Sequence, residues 1–474
     1  MSSTTAPGVH MTTSVSRRRP QTGVVPGTVF MPAITEKGPH AAAVEVSSIA
    51  EFESVFGGAV AESSAHAELK AKFAEGAPRA FIARIVGAAP VLADIDLSNG
   101  TTTALTVTAS EYGAYWNDTT VQVAASGGNF TLTIVEPDGT ILSSGTLADL
   151  DAAVTWGATL DHFTIAKTGT TDPVTAAAAA LTGGDDDANG VLEAQRITAR
   201  ALFGRSLGCG TLHEPGSTGT TAHTALMAHA DANNRLALLD VASGTSVANI
   251  VTHAETLQDL TGARRSKLNA SWARVRGATA GTTDLVSFSS LEAGMLGRND
   301  AAGTPVGQPA AGGFGQPVGA LSLEVEFTDD DRGTLNDAHA NVAISEDGTI
   351  AGYGNRSLST VDGEKQFSIA RTLMVIEAEA QLEGRKYVHR MVDGEGHVLA
   401  KYLKDLIGVC QRHHKDGSLY GATEADAFRV QVFEVNTDES LLDGILESAI
   451  DVRPAGSAEF VRINITSHAD TIGA

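Results

Sequence analysis

The feature that most limits what this 474-residue chain can fold into is a change of hydrophobic period along its length. SSIAEFESVFGG (47–58) has the form of a serine-capped short helix closed by Gly57 and Gly58. SSAHAELKAKFAEG (63–76) follows as a second helix with Ala65, Leu69 and Phe73 at helical spacing, and RAFIARIV (79–86) is a buried strand. From 91 to 182 the helical period gives way to strands: ALTVTAS, TTVQVAAS, NFTLTIVEPDGTILSS with a hairpin turn at Pro137–Gly139, and HFTIAK. After 183 the alternation returns, with helices in LEAQRITARAL, HTALMAHADANN and VANIVTHAETLQDL around the apolar strand RLALLDVA. A β-sandwich or barrel inserted into a surrounding α/β fold accounts for that order. So long a chain needs more than one core, and two to four domains are expected.

The two ends look different from the body. Residues 1–30 are rich in Ser, Thr, Pro and Gly, and the β-formers Val24, Val25, Val29 and Phe30 are interrupted by Pro26 and Gly27. Such a segment is an extended arm that needs something to lie against. GRNDAAGTPVGQPAAGGFGQPVGA (297–320) is a Gly/Pro-rich loop, and FSIARTLMVIEAEAQLEGRKY (367–387) a helix or a strand–helix pair. HVLAKYLKDLIGVCQRHHKDG (397–417) is a helix with Leu399, Leu403, Leu406 and Cys410 on one side. Its other residues Lys401, Lys404, Arg412, His413, His414 and Lys415 form a basic strip. AFRVQVFEV (427–435) is a strand, and EFVRINIT (459–466) alternates, with Val461, Ile463 and Ile465 on one face and Phe460 on the other.

Charge narrows the function. The net charge is −23, which argues against nucleic acid as a partner. Arg17, Arg18, Arg19 and Lys37 make the first forty residues basic, while ten acids crowd 320–365. A basic arm and an acidic body can attract each other between copies. Only 5% of residues are aromatic, few for a protein that stacks nucleotides or sugars. Cys209 and Cys410 stand alone, outside any zinc or disulfide pattern, and suit a reducing compartment. Prolines after the basic triplet break any signal-peptide core, and no apolar run approaches the ~18 residues of a membrane span.

Candidate chemistry is sparse. His213, His223, His229 and His253 with Asp231, Asp240 and the many serines could be assembled into a hydrolase triad, but GxSxG is missing and chance supplies such triplets. DDDANG (185–190) opens like a calcium loop, yet Arg196 stands where the bidentate acid belongs, so a turn is expected. Asp329, Asp330 and Asp331 form a solvated or inter-subunit charge run. GFGQPVG (313–319) lacks the lysine and helix of a phosphate loop. No catalytic residue, metal or cofactor is assigned.

Several segments, in collinear order, resemble the contractile tail sheath proteins of bacteriophages and related injection systems. These are PGVH (7–10), GTVFMPAITEKGP (27–39), FESVFGG (52–58), ELKAKFAEGAPRAFIARIVG (68–87) and ALTVTASEYGAYWND (104–118). LTGGDDDANG (181–190), SSLEAGMLGRNDAAGTPVGQPAAG (289–312), LNDAHANVAI (335–344), DGSLYGATEADAFRVQVFEVNT (416–437) and RPAGSAEFVRINIT (453–466) continue the series. The resemblance implies an α/β and α+β multidomain chain whose subtilisin-like α/β middle domain carries the inserted β-domain. The α+β domain at the C-terminus is then completed by exchanged terminal strands. On this reading 1–30 is the arm, 31–90 and 183–355 the α/β domain, 91–182 the insertion, 356–452 the last domain and 453–474 a strand arm. The resemblance further implies hexameric rings stacked helically around a tail tube, with baseplate and tail terminator proteins as partners. Assembly in the host cytoplasm, residence in the virion tail, no membrane insertion and no turnover follow from it. Val24, Val25, Val29, Phe460, Val461, Ile463 and Ile465 become candidates for strand exchange between subunits, and Lys401, Lys404, Arg412 and Lys415 for contact with the tube. A subtilisin-like hydrolase and another tail or baseplate component are the competing readings.

Overall fold

A computed structural model describes residues 23–277, 279 and 281–462; Ile463 and Ile465 lie outside the described residues. The chain begins with β1 (Val29–Ile34), β2 (Ala43–Val46), α1 (Ile49–Phe56), α2 (Ala65–Glu75) and β3 (Ala80–Ile85). Ser48 caps α1 through its side chain, and Gly57 at φ +82 ends it.

Next come β4 (Leu92–Ser98), β5 (Thr103–Tyr112), β6 (Thr120–Ser126), β7 (Asn129–Val135), β8 (Ile141–Ser143), α3 (Leu150–Gly157), β9 (Phe163–Lys167) and β10 (Ala176–Ala180). They form two antiparallel sheets, β4-β5-β9 and β10-β6-β7-β8, which enclose a core of their own around Trp116, Phe130, Leu132 and Phe163. Alternate residues of β7 (Phe130, Leu132, Ile134) are buried, the pattern of a strand with one face on a core.

The α/β body resumes with α4 (Glu193–Ala201), β11 (Thr211–Leu212), α5 (Thr220–Ala232), β12 (Leu236–Asp240), α6 (Val247–Leu257) and β13 (Ser266–Asn269). Then follow β14 (Trp272–Arg276), β15 (Thr283–Ser287), α7 (Phe288–Ala301), β16 (Ala320–Leu323), α8 (Asp329–Asp337), β17 (Ala340–Asn341), β18 (Ala343–Glu346) and β19 (Thr349–Gly352). The chain closes with α9 (Phe367–Gly384), α10 (His397–Lys415), α11 (Glu424–Ala427), β20 (Phe428–Gln431), α12 (Asp438–Leu442) and β21 (Ala449–Val452). Mixed α/β architecture over several sheets is therefore the fold class.

The main sheet has seven strands in the order β17-β13-β12-β11-β1-β3-β2, parallel except for β2 against β3. Helices on both faces bury its inner strands, which is why β1, β3 and β12 are largely apolar without alternation, while the edge strand β2 stays partly exposed. One expectation fails here. Val29 and Phe30 are not part of a lendable arm: β1 lies between β3 and β11, and Val29 pairs with Ala80 on one side and Thr211 on the other. With strands on both sides at this level, Val29 and Phe30 are held within their own chain. Pro32 survives in this inner strand because the carbonyls of Thr28 and Phe30 face β11, so its missing N–H falls on that side, beyond the last β11 pair at Leu212.

A second correction concerns 297–320. Gly297–Ala301 is not loop but the last part of α7, whose sides are buried almost throughout. A helix buried all round has no amphipathic stripe to signal it. Its small residues have a packing role. A Cβ on Gly294 would sit 2.4 Å from the Lys72 carbonyl of α2, so only glycine lets the two helices approach so closely.

Phe30 is the centre of the sheet's inner face. Its ring stacks on Phe81 at 5.4 Å, meets Phe203 edge-on at 5.5 Å and carries the Arg235 guanidinium 3.6 Å above it. Replacing it by alanine leaves a cavity that the paired backbone cannot close. Phe30→Ala should cost about 3–5 kcal/mol in denaturant unfolding; a loss under ~1 kcal/mol would show that β1 is not the fixed strand described here.

Candidate functional site

Parallel sheets collect polar side chains at the carboxyl ends of their strands, and this one does so beneath a helical cover. His213 follows β11, Asp240 ends β12, Glu68 and Lys72 lie one turn apart on α2, and Ser287 caps α7. All are buried, from 0% exposure at Lys72 to 4% at Asp240. Lys72 Nζ donates to Ser290 Oγ at 2.7 Å and to His213 Nδ1 at 3.0 Å. An ammonium only donates, so Nδ1 accepts and the imidazole proton sits on Nε2, which donates to Asp240 Oδ2 at 2.6 Å. The Ser290 hydroxyl in turn donates to Glu68 Oε2 at 2.6 Å. Burial pushes the Lys72 ammonium down to about 8, against the pull of Glu68 and Asp240. Burial works to raise Asp240 as well, but His213 beside it outweighs this and holds the carboxyl below the usual range.

The sequence candidates His213 and Asp240 are thus brought together, yet not as a hydrolase. Ser287 Oγ lies 3.3 Å from the same Nε2 that already serves Asp240, whereas a triad needs its acid and its nucleophile on opposite ring nitrogens. Among the described residues the side chains of the site are also buried, Ser287 at 0% exposure. Glu68, Lys72, Ser287 and Ser290 escaped the sequence reading because they lie up to 222 positions apart on α2 and α7.

The other candidates scatter. His223 Nε2 donates to the Ser217 carbonyl at 2.8 Å, and its Nδ1 accepts from His253 Nε2 at 2.9 Å. Asp231 pairs with Arg265 at 3.3 Å, and His229 touches Arg235 at 3.2 Å. In the 185–190 turn the carboxylates are already used. Asp186 binds Arg84 at 3.2 Å, Asp187 accepts from the Ala89 amide at 2.9 Å and Asp185 from the Asp187 amide at 2.8 Å. Asp329, Asp330 and Asp331 form the first turn of α8, where Thr328 and Asp331 make a capping box and the helix dipole favours negative charge.

The ends present a different kind of site. Gly23, Val24 and Val25 run along a cleft of about 320 Å³ bounded by Arg79, Arg205 and Leu382, and Val24 packs on the core beneath. At the other end, β20 and β21 make a sheet of only two strands. After it Arg356 holds Glu459 at 2.8 Å, and then Phe460 and Val461 stand 70% and 79% exposed in no strand. Of the expected 459–466 strand, the described residues therefore form no ladder within their own chain. On α10, Lys401, Lys404, Arg412 and Lys415 occupy the exposed side, with Arg412 bound to Glu379 at 2.9 Å. His413 does not belong to this strip; it is 3% exposed and turns inward to Glu379 at 3.3 Å.

Known structures resemble this architecture over nearly its whole length. The sheath tail protein of Listeria innocua aligns with a TM-score of 0.63 and 12% identity, over 87% of this chain and 90% of that one. For the sheath tail protein of Desulfitobacterium hafniense the values are 0.58 and 17%, over 90% and 93%. A chain from the contracted PVC sheath complex of an extracellular contractile injection system gives 0.57 and 13%, over 99% of both chains. This chain has the tail sheath fold. No protein-family model and no curated protein matches its sequence, so the likeness lives in the backbone.

Within the sheath fold the buried histidines set an acid limit. Burial, with His253 adding to it, pushes His223 down to about 4 from its usual 6.5. An imidazole kept neutral in the fold but protonated when unfolded costs stability as pH falls from 6.5 through 4. His223 alone should remove about 3 kcal/mol across that window. Denaturation midpoints measured at both pH values for wild type and His223→Gln should show a flatter profile for the variant; equal slopes would assign the acid sensitivity elsewhere.

Proposed function

We propose that this chain is a structural subunit of a contractile tail sheath. It polymerises as hexameric rings stacked around a tail tube and shortens to drive that tube through a bacterial envelope. One observation carries the reading: the match to a chain of a contractile injection system's sheath complex extends over 99% of both chains. Fold alone does not fix function, and the reading is an analogy at the level of the fold, though it engages the whole body and not one common domain. The α/β body is taken as the subtilisin-like sheath domain, and its buried His213–Asp240 pair as part of the framework. No turnover is assigned to it.

The ends supply the linkage. β20 and β21 leave sheet edges open, and Phe460 and Val461 project without a strand to pair with. Strand addition satisfies both sets of backbone groups at once. In this scheme the arm at Val24 and Val25 and the terminal strand at Phe460, Val461, Ile463 and Ile465 complete the sheet of a neighbouring subunit. Val29 stays at home. Such strands keep neighbours connected while rigid bodies re-pack, and the energy of shortening resides in body–body contacts. Lys401, Lys404, Arg412 and Lys415 face an acidic tube, with baseplate and terminator proteins at the two ends of the cylinder. The particle is a phage tail or an injection device assembled in the bacterial cytoplasm.

Electron microscopy of the purified full-length chain should show wide hollow cylinders. Deleting residues 1–25, or those from 459 onward, should leave folded monomers by circular dichroism and no cylinders; ordered cylinders from either deletion would end the strand-exchange scheme. Lys401→Glu with Lys404→Glu should spare the empty cylinder but abolish co-assembly with the tube protein. Unchanged tube binding would free α10 of that role.

A further inference from the structure

The amino ends of the parallel strands gather cations. Arg79 stands just before β3, Arg205 lies in the turn that leads to β11, and Arg385 follows α9 directly. Together they rim the cleft of about 320 Å³ along which Val24 and Val25 run. Two of them are partly matched: Arg79 reaches Glu45 at 3.3 Å, and Arg205 shares Glu377 with Arg265. Arg385 pairs with no carboxylate among the described residues. The chain running from Gly23 toward its N-terminus brings no acid to the cleft, because residues 1–22 contain three arginines and neither Asp nor Glu.

The carboxyl ends of the same strands carry the opposite charge. Ser243, just past β12, donates to Glu324, and the Glu324 amide donates at 2.8 Å to the carbonyl of Trp272, just past β13. These bonds fix the segment that opens α8 at that pole, and α8 then runs back to β17. Between 318 and 332 the acids are Glu324, Glu326 and the three aspartates of α8, and the one cation is Arg332. Arg332 is taken up locally, by Asp329 and by Glu346 at 3.1 Å. Glu326 and Asp330 are exposed, as is Val325 between the two glutamates.

We infer that the cleft of Arg79, Arg205 and Arg385 docks the Glu324–Asp330 segment of a second copy of this chain, joining α/β bodies head to tail. The two surfaces match in kind: arginines beside the apolar Val24 and Leu382 on one, carboxylates around the exposed Val325 on the other. Each planar guanidinium can grip a carboxylate at two points, which a lysine cannot. At a net charge of −23 copies repel one another unless a local match of this sort overcomes it. Because the two patches lie at opposite poles of one sheet, a docked pair leaves one patch of each copy unused, and the contact propagates into a ring or a helix. The contact deepens the sheath reading and rests on it for the form of the polymer. The charge match itself is testable without cylinders.

Sedimentation velocity of the full-length chain should show self-association that weakens as salt rises from about 0.1 to 1 M, a measurement that needs no variant. Arg205→Glu with Arg385→Glu, and separately Glu326→Lys with Asp330→Lys, should each weaken association about tenfold or more while circular dichroism stays native. The chain carrying all four changes should associate about as well as the native one, since the charges are then exchanged. Association unchanged by either pair, a fourfold variant no better than the pairs, or a native chain that stays monomeric at low salt would each overturn the contact. Cylinders that form regardless of both pairs would keep the sheath reading and remove this contact. Charge-dependent association that never yields cylinders in the microscope would keep the contact and end the sheath reading.

Discussion

The pairing of β1 with β3 on one edge and β11 on the other holds the molecule together. In sequence those two partners are separated by the whole inserted β-domain, so no local contact can bring them side by side. β1 does so because each of its residues is buried and both its ladders are internal to the chain. Once it is in place, β12 and β13 extend the sheet on one side, and the carboxyl ends of β11 and β12 deliver His213 and Asp240 to the same spot. The cost is that what is polar at that spot must find its partners inside the protein; α2 and α7 provide most of them, and Asp240 Oδ1 is left without one among the described residues.

The same arrangement separates what is rigid from what is left open. Arg84, 1% exposed, joins β3 to the end of β5 and to the 185–190 turn, through the Tyr112 carbonyl at 2.8 Å and Asp186 at 3.2 Å. Arg371 grips Asp300 with two 2.7 Å bonds and so ties α9 to α7. Buried cations therefore tie β3 to β5 and to the 185–190 turn, and α9 to α7. Among the described residues, by contrast, β20 and β21 pair only with each other, and Phe460 and Val461 lie in no strand.

Much of the fold was legible in the sequence. The helices at 47–58, 63–76 and 397–417 carried a cap, a C-terminal glycine or an apolar stripe, and the strands of the insertion alternated. Where the reading failed, it failed for a physical reason. Val29 and Phe30 sit between prolines and glycines, a composition that resembles an arm until the strands on both sides are seen. α7 is buried all round, so no polar face marks its period. His413 shares a sequence run with exposed cations but faces Glu379, because one residue is 100° of helix.

Local chemistry is carried by neighbours in sequence, and the chain alone therefore determined its caps, turns, strand alternation, acidic balance and the absence of a membrane-length apolar run. It also determined that the ends differ in kind from the body. Only the tertiary structure decided that β1 is a central strand, and that Glu68, Lys72, His213, Asp240 and Ser290 form one buried cluster. Those residues come from three distant parts of the chain, and the parallel sheet that gathers them exists only after contacts remote in sequence have formed.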